Sequence, residues 1–337
     1  MAGDDNGYLK TIIGSTILIV TCFGLFLNLT GIYTLRSGPK SNKLFNNMVI
    51  CLLIFDTWYL ITSPFFFFGL QHEHFKWNAL AYINVYWGNP CGHMAVFGTI
   101  SMTLAISHER YLAIKKPLIH NRNNLEFDQK KRLLLYFIPC LLMSIFFNIP
   151  RFFNFDIVVN NATVDDYSIS TKLSASACCK MYKFYYEFIF NSIIFGIIPI
   201  LLLIFLSYQT FVKLKEHNIQ RIAVAANNKE DVNRASQQQE GNMAKVMFGL
   251  STLFLICHLP RILFMAFVGI TGKHHDRCEK QEPGWPMDTF GIFVYLAVFL
   301  VMVNSSIGTL TYCAMNYEFR QHLLKLLKSC NTPCKRK

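Results

Sequence analysis

Hydrophobic residues in this chain come in long blocks separated by short polar segments. Seven windows of about 20 residues, the length of helix that crosses a hydrocarbon core, carry almost no charge. They lie near 11–35, 46–70, 90–107, 133–149, 188–212, 246–270 and 289–313. A soluble domain would show shorter, amphipathic stretches. The pattern therefore predicts an all-α membrane protein built as a seven-transmembrane helix bundle.

A further helix is predicted after the seventh window, over residues 316–330. Its apolar residues fall on one side and its basic residues on the other, which is typical of a helix lying on the membrane surface. We expect Phe319, Leu323, Leu324 and Leu327 to face lipid and Arg320, Lys325 and Lys328 to face water. The predicted organisation is an extracellular N-terminus (1–10), a seven-transmembrane receptor domain (11–313), and a short amphipathic eighth helix with a cytoplasmic tail (314–337).

The basic residues predict the orientation of the chain in the membrane. Segments 36–43, 110–132, 213–245 and 320–337 hold 22 of the 32 Lys and Arg residues. Positively charged loops stay in the cytoplasm, so the N-terminus is expected outside and the C-terminus inside the plasma membrane. The net charge of +12 is divided among four short segments, which favours membrane lipid as a partner and argues against nucleic acid.

Several residues are candidates for covalent modification. Asn161-Ala162-Thr163 is a glycosylation sequon in the predicted extracellular loop between the fourth and fifth windows, so a glycoprotein is expected. The disulfide candidates are Cys91, Cys178, Cys179 and Cys278, which lie toward the oxidising exterior. Cys330 and Cys334, which are flanked by lysines in the cytoplasmic tail, are palmitoylation candidates.

Polar residues inside the hydrophobic windows each need a partner. Helical spacing allows six of them to lie at about one depth: Asn28, Asp56, Thr99, Asn304, Ser305 and Ser306. One interpretation is a cluster around Asp56 that holds a sodium ion and repacks between two states of the protein. The other is a hydrogen-bond network that only fixes helix packing. Apart from sodium, no cofactor is expected.

The third window ends in His108-Glu109-Arg110-Tyr111, and a charged pair at a membrane boundary is a candidate functional site. Asn28, Asp56, Glu109-Arg110-Tyr111, Pro199, Cys257-His258-Leu259-Pro260 and Tyr312 follow in an order and spacing that resemble the rhodopsin-like (class A) G-protein-coupled receptors. The resemblance covers nearly the whole chain. Two positions depart from the family pattern: His258 replaces a tryptophan, and Gly308-Thr309 replaces Asn-Pro.

This resemblance implies a receptor that is not an enzyme. Arg110 would be held inactive by Glu109 and Glu240 and then released to a heterotrimeric G protein, with arrestin as a further partner. The alternative for Glu240 is a solvated loop acid. The other implied coupling residues are Tyr111, Leu118 and Tyr312, and the implied transmission residues are Ile100, Pro199, Phe254, His258 and Pro260.

The ligand class is indicated partly by what is missing. Gly92 stands where amine receptors carry an aspartate, and Met302 stands where opsins carry the retinal lysine. Segments 148–153, 257–261 and 303–306 resemble invertebrate FMRFamide-type neuropeptide receptors, which implies a short amidated peptide as the extracellular ligand. The ligand-binding candidates are Tyr86, Tyr186, Glu187, His258 and Arg261.

Alternatives remain open for both the site and the function. Arg261 would hold a ligand's carboxylate or amide carbonyl, or it would pair with Glu187 for structure alone. A class A receptor for a non-peptide ligand is the alternative function. A membrane transporter or channel is less favoured, because no internal repeat is evident and Asp56 is the one strongly buried acid.

Overall fold

The computed structural model describes the backbone of residues 2–38, 43–71, 82–115, 126–163, 166–175, 179, 182–225, 234–271 and 289–331. Within these ranges, the side chains of 2–11, 66–71, 126–128, 158–173, 217–245, 268–271 and 289–291 lie outside the described set. The same holds for a few single positions, including Lys183, Glu187 and Leu327, and for 329–331.

Eight long helices follow one another along the described residues. They are α1 (Ala2–Ser37), α2 (Lys43–Gln71), α3 (Asn89–Lys115), α4 (Glu126–Phe146), α5 (Ile198–Ala225), α6 (Arg234–Thr271), α7 (Thr289–Met315) and α8 (Tyr317–Asn331). A π-helical turn (Asn84–Gly88) precedes α3, a 3-10 turn (Ile149–Phe153) follows α4, and a π-helical segment (Lys183–Ile197) leads into α5. The predicted helical bundle with a C-terminal helix is confirmed.

By length and apolar composition, six of the helical segments in the described residues are long and apolar enough to cross a membrane. The exception among the seven expected crossings is α3, which carries Asn89, His93, His108, Glu109 and Arg110. This helix is also the one most enclosed by its neighbours, with residues buried from Asn89 through Arg110. A helix shielded from lipid does not need an apolar surface, because its polar groups find partners on neighbouring helices.

Two apolar clusters fill the bundle. One, around Phe45, Met48, Phe55 and Met102, lies where the N-terminal part of α2 meets the C-terminal part of α3. The other lies toward the opposite ends, around Ile17, Ala95, Ile100 and Phe254. The outer face of α4 exposes large apolar residues such as Leu135 and Phe146. Such a surface is stable only against hydrocarbon, which is consistent with a membrane protein.

Four details differ from the sequence-based expectations. α1 begins at Ala2, well before residue 11. Between α4 and the π-helical segment, β1 (Phe155–Thr163) and β2 (Asp166–Leu173) form an antiparallel hairpin that was not expected. Phe319 was expected to face lipid, but it is buried, with its ring centroid 4.8 Å from that of Tyr312. The aromatic contact explains this, since α8 turns back beneath α7. Cys91 differs as well and is described with the site.

Candidate functional site

The polar residues expected at one depth meet around Asp56. The hydroxyls of Thr99 and Ser305 both donate to Asp56 Oδ1, at 2.9 and 3.1 Å. Asn28 Nδ2 donates to the carbonyl oxygen of Ser305 at 3.0 Å, which ties α1 to α7. Asp56 is 3% exposed, so the two hydroxyl donors compensate a carboxylate that is removed from solvent. The hydrogen bonds around Asp56 and Ser305 therefore join α1, α2, α3 and α7.

A cavity lies beside this carboxylate and extends toward Tyr312 and Phe319. We call it the inner cavity; its polar lining residues are Asp56, Thr99, Thr103, Asn304 and Thr309. Thr309 Oγ1 is buried without a hydrogen-bond partner in the described residues. The site thus offers oxygen ligands of the kind that hard monovalent cations prefer.

His258 forms the floor between this polar region and the outer half. It is fully buried, and its ring stacks on Phe254 with centroids 4.1 Å apart. Asn304 Nδ2 lies 3.5 Å from His258 Nε2, a long contact whose donor depends on the histidine tautomer. His258 therefore contacts α7 through a ring nitrogen. The tryptophan that is usual at this position would place a different ring against α7.

Three of the five expected transmission residues, Ile100, Pro199 and Phe254, lie in the same region of the bundle. Ile100 and Phe254 belong to the same apolar cluster, together with Ile200 and Leu203 from α5. Pro199, at the start of α5, is buried beside Ile200. Pro260 lies inside α6, where it removes one backbone hydrogen bond. The arrangement connects α3, α5 and α6 at mid-membrane.

Near the C-terminal end of α3, Glu109 contacts α4. Its carboxylate forms a salt bridge with Arg132, and the Tyr136 hydroxyl donates to Glu109 Oε2 at 3.0 Å. His108 Nδ1 lies 3.3 Å from the same tyrosine hydroxyl. Glu109 is completely buried, so these α4 partners compensate a charge that would otherwise be costly. Sequence reasoning missed both Arg132 and Tyr136.

The neighbouring Arg110 is buried against an aromatic ring. Its guanidinium carbon lies 4.5 Å from the centroid of Phe45, and Phe45 stacks on Tyr312 with centroids 6.2 Å apart. The Tyr312 hydroxyl donates to Asn46 Oδ1 at 3.2 Å. A continuous contact path therefore runs from Arg110 through Phe45 to Tyr312. No sequence motif had indicated Phe45. Tyr111, the next residue, is half-buried, with the Lys115 ammonium 5.3 Å from its ring centroid.

A second cavity, of about 390 Å³, opens in the opposite half of the bundle. We call it the outer cavity; it is lined by Tyr59, Ser63, Gly88, Asn89, Gly92, His93, Val96, Arg261 and Val298. Arg261 Nη2 lies 3.4 Å from His93 Nδ1. The Asn89 side-chain oxygen is buried without a partner in the described residues. Arg261 therefore faces α3, where His93 and Asn89 had not been singled out.

The other ligand-binding candidates lie elsewhere. Tyr86 is exposed and stacks on Tyr82, with centroids 6.3 Å apart. Tyr186 donates from its hydroxyl to the Phe147 carbonyl at 2.7 Å, and the guanidinium of Arg151 lies 5.8 Å from its ring centroid. Neither tyrosine belongs to the lining of the outer cavity.

The disulfide expectation is wrong for Cys91. Of the cysteines that the structure describes, Cys91 is a buried free thiol in the first turn of α3. The reason is depth, because the residue lies inside the bundle and not at its rim. Cys179 is exposed.

Several other expected site residues lie outside the described residues or have side chains outside them. They are Leu118, Glu187, Glu240, Cys178, Cys278, Cys330, Cys334 and the sequon residue Asn161. Their roles stay predictions.

Comparison with known proteins places the chain in a family. The model of the seven-transmembrane receptor (rhodopsin family) matches residues 27–307. The chain therefore belongs to the rhodopsin family of seven-transmembrane receptors, and it is a signalling receptor and not an enzyme. The predicted family, fold and membrane association are confirmed.

Three curated relatives are similar at low identity. Rat (Rattus norvegicus) melanopsin is 28% identical over 78% of the chain and 53% of its own length. A Gq-coupled rhodopsin from Mizuhopecten yessoensis is 23% identical over 78% of the chain and 51% of its own length. The FMRFamide receptor of Drosophila melanogaster is 23% identical over 92% of the chain and 53% of its own length. The chain spans about half the length of these relatives.

Proposed function

We propose that the chain is a plasma-membrane receptor for a short amidated neuropeptide and that it signals through a heterotrimeric G protein. The observation that carries the ligand class is the lining of the outer cavity. Arg261 presents N–H donors there, and the Asn89 oxygen is a buried acceptor without a partner. A terminal carboxamide offers one acceptor oxygen and an N–H₂ donor, so it complements this pair.

The relatives favour two different ligands. The FMRFamide receptor matches over the larger share of the chain, and its name indicates a peptide ending in an amide. The two opsins suggest a light receptor, but α7 contains no lysine, and Met302 is fully buried where the retinal Schiff base would form. We therefore favour the peptide over retinal. A non-peptide ligand is the remaining alternative.

Coupling to the G protein is proposed to use Arg110. In the described arrangement the guanidinium is buried over Phe45, and Glu109 is engaged by Arg132. Movement of α6 away from α3 would open a cytoplasmic cleft in which Arg110 becomes accessible. Leu118 and Tyr312 would contribute contacts, and arrestin would bind the same open face.

The test applies a panel of amidated peptides, each paired with its free-acid form, to cells expressing the full chain. An amidated member should raise a second messenger, and its free-acid form should act more weakly. The Arg110→Ala variant should keep peptide binding and lose the response, whereas Arg36→Ala, an exposed arginine on α1, should keep both. Silence across the panel at normal surface expression would refute the peptide proposal.

We also propose sodium as a ligand of the inner cavity. Asp56, Thr99, Asn304 and Ser305 would supply its oxygen ligands, and Thr309 Oγ1 is a buried oxygen with no partner. Sodium should then lower agonist affinity in wild type and have no effect in Asp56→Asn. Thr57→Ala is the control, because the Thr57 hydroxyl donates to the Leu53 carbonyl within its own helix. An equal sodium effect in wild type and Asp56→Asn would contradict this proposal.

A further inference from the structure

Two arginines are buried in the outer half of the bundle. Arg151 lies in the 3-10 turn that follows α4 and is 5% exposed. Arg261 lies one residue after Pro260 in α6 and lines the outer cavity. A buried guanidinium is costly unless its charge is paired and its N–H groups are hydrogen-bonded. The proposed function gives Arg261 a role but leaves the burial of Arg151 unexplained.

The hydrogen-bonding of Arg151 is incomplete. Its guanidinium lies over the Tyr186 ring, which stabilises the charge but accepts no conventional hydrogen bond. Its Nε and Nη2 atoms are both buried and have no partner in the described residues. Each such atom would gain from an acceptor, and an anionic acceptor would satisfy the charge at the same time.

The two arginines belong to one electrostatic region. Arg151 and Arg261 lie close enough to act on each other, and both act on His93 of α3. Arg261 Nη2 lies 3.4 Å from the His93 ring nitrogen, so the histidine can accept from one arginine but brings no negative charge. None of the residues that line the outer cavity carries a carboxylate. Among the residues whose side chains the structure describes, the cavity thus offers these two arginines no carboxylate, and two like charges at low dielectric repel.

A carboxamide does not correct this imbalance, because it is neutral. The Nε and Nη2 atoms of Arg151, together with the guanidinium of Arg261, offer charged N–H donors that match the oxygens of a carboxylate far better. We propose that Arg151 and Arg261 form a binding site for a carboxylate carried by the ligand, so that the agonist is an acidic peptide. This proposal rests on the proposed function for the peptide part, but the carboxylate site itself is testable without any agonist.

The first experiment measures thermal unfolding of the purified full chain in detergent with two small probes. N-acetyl-aspartate α-amide carries the carboxylate, and N-acetyl-asparagine α-amide is its neutral isostere. At millimolar concentration the acidic probe should raise the midpoint by roughly 2 °C or more, and the neutral probe should raise it less. Arg151→Gln and Arg261→Gln should abolish the difference, whereas Arg36→Gln should keep it.

The second experiment uses cells that express the full chain, either as wild type or with one arginine replaced. Amidated peptides with one Asp or Glu are compared with copies that carry Asn or Gln in its place. Acidic members should act at concentrations about tenfold lower or better, because charge-assisted hydrogen bonds are lost in the neutral copies. In Arg151→Gln and Arg261→Gln cells the ratio should fall toward one.

The outcomes separate the two proposals. Equal shifts with both small probes, together with equal potency of acidic and neutral peptides, would overturn the carboxylate site and leave the peptide receptor standing. A probe difference that depends on both arginines, with silence across every peptide, would support the carboxylate site and refute the peptide. Loss of the difference in Arg36→Gln would also overturn the assignment, because the effect would then not be local.

Discussion

At the residue scale, Phe45 connects the cytoplasmic arginine with the seventh helix. It is 1% exposed and touches both the Arg110 guanidinium and the Tyr312 ring. A cation over an aromatic face is stabilised by the ring quadrupole, by about 1 kcal/mol or more when solvent is excluded. Release of Arg110 toward a G protein would break this contact. Phe45 is therefore expected to favour the resting arrangement.

The Phe45→Leu substitution should raise ligand-independent signalling. It keeps an apolar side chain but removes the ring face, so the resting state loses about 1 kcal/mol and the active population rises about fivefold. Phe55→Leu is a matched control, because Phe55 is a similarly buried ring on α2 that packs against Phe137 and no cation. Second-messenger levels without ligand, normalised to surface expression, measure the effect. Equal increases in the two variants would show that lost packing is the cause.

Sequence alone could group the buried polar residues but could not predict partners such as Arg132. Asp56, Thr99 and Ser305 were expected together because polar groups in hydrocarbon need one another and helical spacing sets their depth. Arg132, Phe45 and His93 were missed for a different reason. The neighbour that a side chain at a helix end contacts depends on how far the helix is rotated about its own axis. The hydrophobic periodicity of a single sequence does not determine that rotation.

At the element scale, the packing of α2 on α3 depends on Gly98. A Cβ atom at this position would collide with the ring of Phe55, which is rigid and buried. The absence of a side chain thus lets the two helices approach closely. Gly308 differs, since a Cβ there would have no heavy atom nearer than 4.0 Å. This open space is also where the sequence departs from the family pattern.

Gly98→Ala should therefore destabilise the protein and Gly308→Ala should not. Overpacking at Gly98 costs about 1–3 kcal/mol, and the better helix propensity of alanine offsets up to about 1 kcal/mol. At Gly308 an added Cβ meets no close atom, so alanine contributes only its better helix propensity. Thermal unfolding followed with a thiol-reactive dye suits this chain, because Cys51 and Cys140 lie in or against its apolar core. A Gly98→Ala midpoint at or above the wild-type value would contradict the close approach.

A further prediction at this scale concerns Glu240 in the sixth helix. α6 extends from Arg234 to Thr271, so Glu240 lies within it, although its side chain is outside the described residues. This position on a helix disfavours the solvated-loop interpretation, and we expect Glu240→Ala to raise basal signalling severalfold by weakening the resting contact of α6 with Arg110. Glu216→Ala is the control, because Glu216 is exposed and pairs with Lys213 at 2.6 Å. Unchanged basal activity in Glu240→Ala would count against the contact.

The order and approximate positions of the helices were predictable because long apolar runs dominate the sequence signal, but their ends were not: α6 begins at Arg234, about a dozen residues before the predicted window. The β-hairpin was not predicted, although Ile157, Val158 and Val159 favour strand. Its segment lies between two membrane crossings and was interpreted as loop. In α3 the hydrophobic signal of the sequence is weak for a different reason. Its polar residues lower the hydropathy of the helix that its neighbours enclose most completely.

At the scale of the whole molecule, charge and hydropathy together define two sides. Most of the basic residues lie in segments between or after crossings on one side, and the carboxylate site proposed above lies near the other. An N-terminus outside the cell and a C-terminal tail inside it need an odd number of crossings between them. Seven crossings require α3 to span the membrane, as the window at 90–107 predicts, although its polar residues keep it out of the six most apolar helical segments in the described residues.

The orientation is tested with epitope tags at the two ends of the full chain. An antibody should reach the N-terminal tag on intact cells and the C-terminal tag only after permeabilisation, because the basic segments hold the cytoplasmic side. The sequon at Asn161 provides an independent measure. Thr163→Ala should abolish a glycosidase-sensitive gel shift, whereas Thr163→Ser keeps the acceptor sequence and should retain it. If both tags are reached on intact cells, the chain has an even number of crossings, and Arg110 cannot meet a G protein in the manner proposed.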